Sequence, residues 1–337
     1  MVIVLGAKNL NIEKGWVFEM LEGLNTILGK WMPILTPISV LIGVLASVYL
    51  QPLAFLVPWI FAFMTFAGSL NSSFQSFKHT VSHPLPILLA LLILHLVIPV
   101  WAWGIGNLFF HNDPLIITGL ILAVSIPTGI TSIIWVTMYN GSNPLAISII
   151  LIDTILSPLI VPATMSLLVG ETVAMNGYDL MQGLFIMVVI PSILGMTFNR
   201  FMKPASMKKM SRIISPFSKL SLPIVIAINS SAIAPYVRSI DVEFLKITIA
   251  MLFIAICGYL FSWLIGFIYK REKSEIVSLV FTGGMRNISA GAVLAVSFFP
   301  AKVAMPVIVC MLFQQLLAAT VGHALSNYYI KKESISL

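Results

Sequence analysis

Apolar runs long enough to cross a lipid bilayer follow one another along almost the whole chain, and this limits what it can fold into more than any motif does. A helix needs about 20 mostly apolar residues to span the hydrocarbon. Such runs lie near 31–49, 52–70, 84–107, 114–138, 144–169, 180–199, 215–234, 243–269, 275–298 and 303–329. Lipid offers no hydrogen bonds, so spans of this kind satisfy their backbone internally as helices. The predicted fold class is an all-α membrane protein of about ten transmembrane helices.

Composition closes off the other classes. Of 337 residues, 59% are hydrophobic and only 9% charged, against roughly a quarter charged in soluble domains. That charge cannot cover a soluble surface, so a water-soluble enzyme is excluded, and disorder would need low hydrophobicity. The net charge of +7 sits in short loops between apolar runs. It therefore reads as membrane topology, with the lipid bilayer as partner and no nucleic acid. Cys257 and Cys310 lie inside apolar stretches and form no CxxC pair, so no metal site or disulfide framework is indicated. Residues 1–12 lack the features of a cleavable signal peptide. No Walker, HExxH or GxSxG motif occurs, which leaves ATP-driven transport and hydrolysis unsupported. No cofactor is expected.

Lysine and arginine orient the spans. With ten spans both termini share one side, and that side collects 15 basic residues, among them Lys30, Lys78, Arg200, Lys203, Lys208, Lys209, Arg212, Lys219 and Lys270. The other side holds only Arg238, Lys246 and Lys302, with Arg286 left inside a span. Cytoplasmic termini in a cell membrane follow. Within 13–30, Trp16, Met20, Leu24, Ile27 and Leu28 recur at helical spacing, as in an amphipathic helix on the membrane surface. The organisation reads as an N-terminal segment 1–30, a first five-helix repeat 31–170, a second repeat 171–330 and a tail 331–337. Five is odd, so the second repeat is inverted, as in many secondary transporters.

The fourth span of each half is interrupted, at Pro127-Thr128-Gly129 and at Gly283-Gly284-Met285-Arg286-Asn287. Matched breaks in corresponding segments point to a binding site near the midplane. Thr128, Thr131 and Ser132 place hydroxyls beside freed carbonyls, oxygen ligands suited to a hard cation. Alternatively, the break is a proline kink whose hydroxyls bond back to their own helix. Arg286 lies about twelve residues from either end of its span, where a charge costs at least about 2.5 kcal/mol. It is read as a contact for an anionic substrate or as a fixed cation, with a structural salt bridge as the other reading. Asp153 is the one carboxylate well inside a span. Its expected partner is Arg286, because two lone charges cost more than one pair; it could also act as a proton acceptor, or be a packed Asp accepting hydroxyl bonds from neighbouring helices. Gln314, Gln315, Asn229 and Ser230 divide between cavity-facing and helix-joining roles. His95 and His323 are candidate proton relays or packed histidines.

These residues resemble the bile acid:sodium symporter family of ten-span secondary transporters. The resemblance covers about 25–330 and rests on FMTFAGSLNSSFQSF at 63–77, HP at 83–84 with Pro99 beyond it, PTGITS at 127–132, LSP at 156–158 and GGMRN at 283–287. It implies a panel and a core domain, crossing broken helices four and nine, and sodium-coupled uptake of organic anions such as bile acids. Residue by residue, Ser132 and Asn287 match the family, and Gln315 falls where it has a polar substrate-facing residue. Thr282 stands where the family has a glutamate, Arg286 where it has a glutamine, Leu94 for a glutamine of helix three and Ile133 for an asparagine of helix four.

Those departures bear on the coupling ion. A sodium ion about 4 Å from Arg286 is repelled by about 4 kcal/mol at an effective dielectric of about 20, nearly a thousandfold in affinity. The resulting expectation is alternating-access transport of an organic anion, bile acid-like or a small carboxylate. Thr131, Ser132, Arg286, Asn287 and Gln315 would bind substrate. Asp153, Ser132, Thr128 and Thr282 would form the ion-coupling set, with Na+ or H+ as the ion. Alternatives are a sodium symporter with a relocated ion site and an efflux carrier of the same superfamily, although Ser125-Ile126-Pro127 lacks the cysteine of metalloid carriers. A non-transporting sensor or a channel is a different class.

Overall fold

The computed structural model describes residues 2–70, 84–170, 173, 175–237 and 241–335. Positions 71–78, His83 and Arg238, which the sequence reading used, lie outside the described residues. Every regular element among the described residues is helical. In chain order the main ones are α1 (Val2–Leu45), α2 (Ser47–Ser69), α3 (Pro84–Phe110), α4a (Pro114–Ser125), α4b (Ser132–Met138), α5 (Asn143–Leu168), α6 (Gly177–Phe201) and α7 (Pro204–Ala232). Then follow α8 (Val242–Ile268), α9a (Lys273–Gly284), α9b (Ile288–Phe298) and α10 (Ala304–Ile335).

Among the described residues, seven helices are long and apolar enough to cross a membrane. An eighth is added if Glu19–Met32 and Ile34–Leu45, which meet at 75°, count as one span. The 13–30 segment is thus the first arm of α1, continuous with the span after it. Pro33 falls at the bend, where its missing N–H breaks the hydrogen-bond ladder. Two further apolar runs, 114–138 and 275–298, are split into the half-helices α4a/α4b and α9a/α9b, too short to cross alone. Large apolar side chains face outward, such as Trp59, Leu108 and Leu167. A soluble protein rarely shows so broad an apolar exterior, and this chain is a multi-pass membrane protein.

The helices pack in two groups. α1 lies along α7, and α2 packs on α7 and on the end of α6. The other group joins α3, α4a, α5, α8, both halves of α9, and α10. They meet where α9b packs against α7 and α2, and where the first half of α6 packs against α5. α3 and α6 each widen into one turn of π-helix, at Ile93–Val97 and Phe185–Val189. Each is followed two positions on by a proline, Pro99 and Pro191. In α3 the Ile98 N–H reaches back to Ile93 O. Pro99 has no N–H to reach Leu94 O in the same register, so that carbonyl is left for another donor.

Candidate functional site

The two breaks satisfy each other. The Gly129 N–H donates to Met285 O at 3.2 Å, and the Asn287 N–H donates to Pro127 O at 2.8 Å. Thr128 and Arg286 thereby face one another as an antiparallel bridge in the middle of an all-helical protein. Backbone groups released by Pro127 and by the Gly283-Gly284 end of α9a cannot be left bare in lipid, and pairing the two extended segments pairs their N–H and C=O groups. The approach is close: a Cβ on Gly129 would lie 2.9 Å from Arg286 O.

Behind the crossing sits a buried polar cluster. Asp153, fully buried in α5, accepts the Thr128 N–H at 2.6 Å through one oxygen and a hydrogen bond from His95 Nε2 at 2.8 Å through the other. Thr128 donates its hydroxyl to Thr282 O at 3.0 Å, and the Thr282 hydroxyl donates to Ser278 O at 2.8 Å. The Arg286 guanidinium is also buried and donates through Nη2 to Leu94 O at 3.4 Å, the carbonyl that Pro99 leaves open. Its Nη1 has no hydrogen-bond partner among the described residues.

This corrects the sequence expectation for Asp153. Its hydrogen-bond partners are His95 and Thr128, and among the described residues no ion pair joins it to Arg286. The two charges attract each other across the cluster without touching. A histidine and a backbone amide at a helix break were available at hydrogen-bond distance, and a carboxylate is fixed by donors that reach it directly.

In front of the crossing a cavity of about 270 Å³ opens between the two helix groups. Its wall includes Gly129 and Thr131 from the first break, Arg286 and Asn287 from the second, and Gln314 and Gln315 from α10. Thr36, Thr65 and Ser218 add hydroxyls from α1, α2 and α7, and Phe61, Met64 and Ile226 supply apolar surface. Polar and apolar groups thus come from both sides of the cavity, a mixed lining suited to an amphipathic ligand. Gln314 accepts the Arg286 backbone N–H at 3.2 Å, and Gln315 accepts the Trp135 indole N–H at 3.2 Å. Asn287 caps α9b by accepting the Ala290 N–H at 3.4 Å.

Four of the five expected substrate residues, Thr131, Arg286, Asn287 and Gln315, therefore line one cavity. Ser132 does not: it is fully buried at the start of α4b, its hydroxyl unpartnered among the described residues. Of the expected ion-coupling residues, Asp153, Thr128 and Thr282 converge behind the crossing, while Ser132 makes no bond to them. Sequence reasoning missed His95 as the partner of Asp153 and Leu94 O as the acceptor of Arg286. The signal for the second was Pro99, which leaves an acceptor free within its preceding turn. It also missed the hydroxyls of Thr36, Thr65 and Ser218, which look unremarkable in their own helices.

The model of the sodium bile acid symporter family matches residues 58–240 of this chain. The chain is 59% identical over 300 residues to a Bacillus subtilis (strain 168) protein named uncharacterized protein YbaS, a match covering 89% of this chain and 98% of that one. It is 22% identical over 284 residues to the same organism's uncharacterized sodium-dependent transporter YocS, covering 82% and 86% of the two chains. A chloroplastic protein of Oryza sativa subsp. japonica, the probable sodium/metabolite cotransporter BASS2, is 22% identical over 273 residues, covering 79% of this chain and 63% of its own. The latter two names describe transporters, not enzymes.

Proposed function

The chain belongs to the sodium bile acid symporter family, and from that premise we propose that it carries an organic anion by alternating access, with Arg286 as a built-in cation in place of a co-transported sodium ion. The observation that carries this reading is the buried Arg286 guanidinium, held by Leu94 O with no carboxylate in ion-pair contact among the described residues. Three positions that depart from the family's ion-site residues, Leu94, Thr282 and Arg286, converge at the crossing, and the guanidinium fills the space between α3 and the break. A sodium ion brought up to the Arg286 guanidinium is repelled by it, whereas an anion in the cavity is drawn toward it. Proton coupling through the His95–Asp153 pair is then the means by which charge moves with substrate.

The bent first arm of α1 lies on the bilayer surface, and the termini are cytoplasmic. The cavity lining sits toward the basic ends of the helices: Thr36 follows Lys30 by six residues and Ser218 is next to Lys219. The conformation described is therefore open to the cytoplasm.

One observation favours a second reading. Asp153 is a buried carboxylate beside the break, and the printed name of one relative says sodium-dependent. In that reading the ion sits against Asp153 and transport is sodium symport. Liposomes loaded with the purified protein separate the two. Uptake of taurocholate and of small carboxylates is measured under a sodium gradient, a proton gradient and neither. Uptake indifferent to sodium and lost in Arg286→Gln supports the built-in cation; uptake driven by sodium overturns it.

A further inference from the structure

One face of α7 contributes Ser218, Leu222 and Ile226 to the cavity wall, at helical spacing. Asn229 lies eleven residues beyond Ser218, about three full turns at about 3.6 residues per turn, and so falls on the same face. The neighbouring face is taken up by α1. A Cβ on Gly43 would meet Ala227 O at 2.3 Å and Ser230 Cβ at 2.8 Å, so Ala227 and Ser230 are the residues pressed on α1. Asn229 is turned away from α1, toward the side on which α7 packs against α9b.

There Asn229 is fully buried, and neither its amide oxygen nor its amide nitrogen has a partner among the described residues. A primary amide can make four hydrogen bonds, and an apolar side chain of similar volume would avoid the cost of burying it. On α7 the lining ends one turn earlier, at Ile226, and on α9b it ends at Ser289. A polar residue thus continues the cavity-lining stripe of α7 into the sealed half of the same interface, with no hydrogen-bond partner there among the described residues.

We propose that Asn229 is a substrate contact of the opposite-facing conformation. When α9b and its group move against α7, the seal beyond Ile226 opens, and the Asn229 amide donates to the carboxylate or hydroxyl oxygens of the anion from the side away from the basic loops. This rests on the alternating-access reading above but not on the role given to Arg286.

The experiment uses the full chain with one cysteine added at a time. Asn229→Cys and Ser218→Cys are labelled in sealed vesicles of either orientation with a membrane-impermeant anionic methanethiosulfonate. Unsubstituted protein, with its buried Cys257 and Cys310, sets the background. Ser218→Cys is expected to react from the basic side, and Asn229→Cys about tenfold or more faster from the opposite side. Reaction of Asn229→Cys from neither side, or from the same side as Ser218→Cys, overturns the proposal. A second variant, Asn229→Leu, guards against misfolding: it removes the unpaired amide, so its unfolding temperature should rise while taurocholate uptake falls about tenfold or more. A more stable Asn229→Leu protein with undiminished uptake likewise overturns it. Sodium-driven uptake with opposite-side labelling intact would overturn the Arg286 reading alone.

Discussion

Asp153 holds the first break from outside it: its carboxylate accepts the Thr128 N–H at 2.6 Å from a helix 25 residues further along the chain. The other carboxylate oxygen is held by His95, so one side chain ties α3 and α5 to the turn on which α4 crosses α9. Thr128 in turn reaches Thr282 O, and the tie continues into the second break. The crossing is a small piece of sheet whose ends are anchored by side chains.

Removing that anchor is expected to loosen the crossing before anything else. Asp153→Ala leaves the Thr128 N–H unpaired and strips Arg286 of its compensating charge, a change of about 3–5 kcal/mol for broken buried pairs. Asp153→Asn keeps the shape and an acceptor, and about half that loss is expected. Thermal unfolding in detergent, read by size-exclusion fluorescence, ranks the variants. An alanine variant as stable as the parent would show that the carboxylate does not hold the break.

The closeness of the bridge gives a second expectation. Gly129→Ala puts a methyl 2.9 Å from Arg286 O, and the two segments must separate, at about 1–3 kcal/mol for forced overpacking. Gly104 in α3 is the control, since a Cβ there meets nothing within 4 Å. Gly104→Ala should be neutral, or stabilising by about 0.5–1 kcal/mol through helix propensity. Equal unfolding temperatures and equal uptake for the two variants would mean that the bridge tolerates strain.

On the proposed reading, charge at Arg286 sets the affinity for the anion. Near an effective dielectric of about 20, one charge at about 4 Å is worth about 4 kcal/mol. Arg286→Gln should therefore raise the KM for anion uptake by about 10²–10³ with no gain in sodium dependence. Arg286→Lys keeps the charge but not the fork that reaches Leu94 O, and an intermediate KM is expected. Initial rates in liposomes, with and without sodium, read both. A glutamine variant that takes up substrate only with sodium would show that the guanidinium merely blocks an ion site still present.

Much of the fold was legible because lipid is an exacting solvent: it demands long apolar helices and punishes each interruption, so the breaks at Pro127 and Gly283-Gly284 stand out in the sequence. Pairing was not legible. Asp153 and His95 are 58 residues apart, and nothing in either helix says that they touch, whereas electrostatics alone nominated Arg286. Ser132 illustrates a different limit. It follows Thr131 directly, yet one residue is 100° of helix, and the turn that puts Thr131 in the cavity wall buries Ser132 behind it. The joining of the first arm of α1 to its span was hidden as well, because Pro33 reads equally as a helix end or a bend.

The His95–Asp153 pair yields the prediction that bears most directly on coupling. A proton carried with the anion needs a buried group that can take it up and give it back. Within the cluster the side chains facing one another are His95, Asp153, Arg286 and Thr128. His95 touches Asp153 through Nε2, and its Nδ1 is buried with no partner among the described residues. His95→Gln keeps a donor for Asp153 and removes the exchangeable ring proton. Uptake driven by an inward proton gradient should then fall about tenfold or more, while exchange of substrate for substrate, which needs no net proton, should stay within about twofold of the parent. Both are measured in the same liposomes, with an ionophore collapsing the gradient. If gradient-driven uptake and exchange fall together, His95 is a structural support for Asp153 and the proton is carried elsewhere. Gradient-driven uptake that persists in the variant would remove the pair from the coupling path.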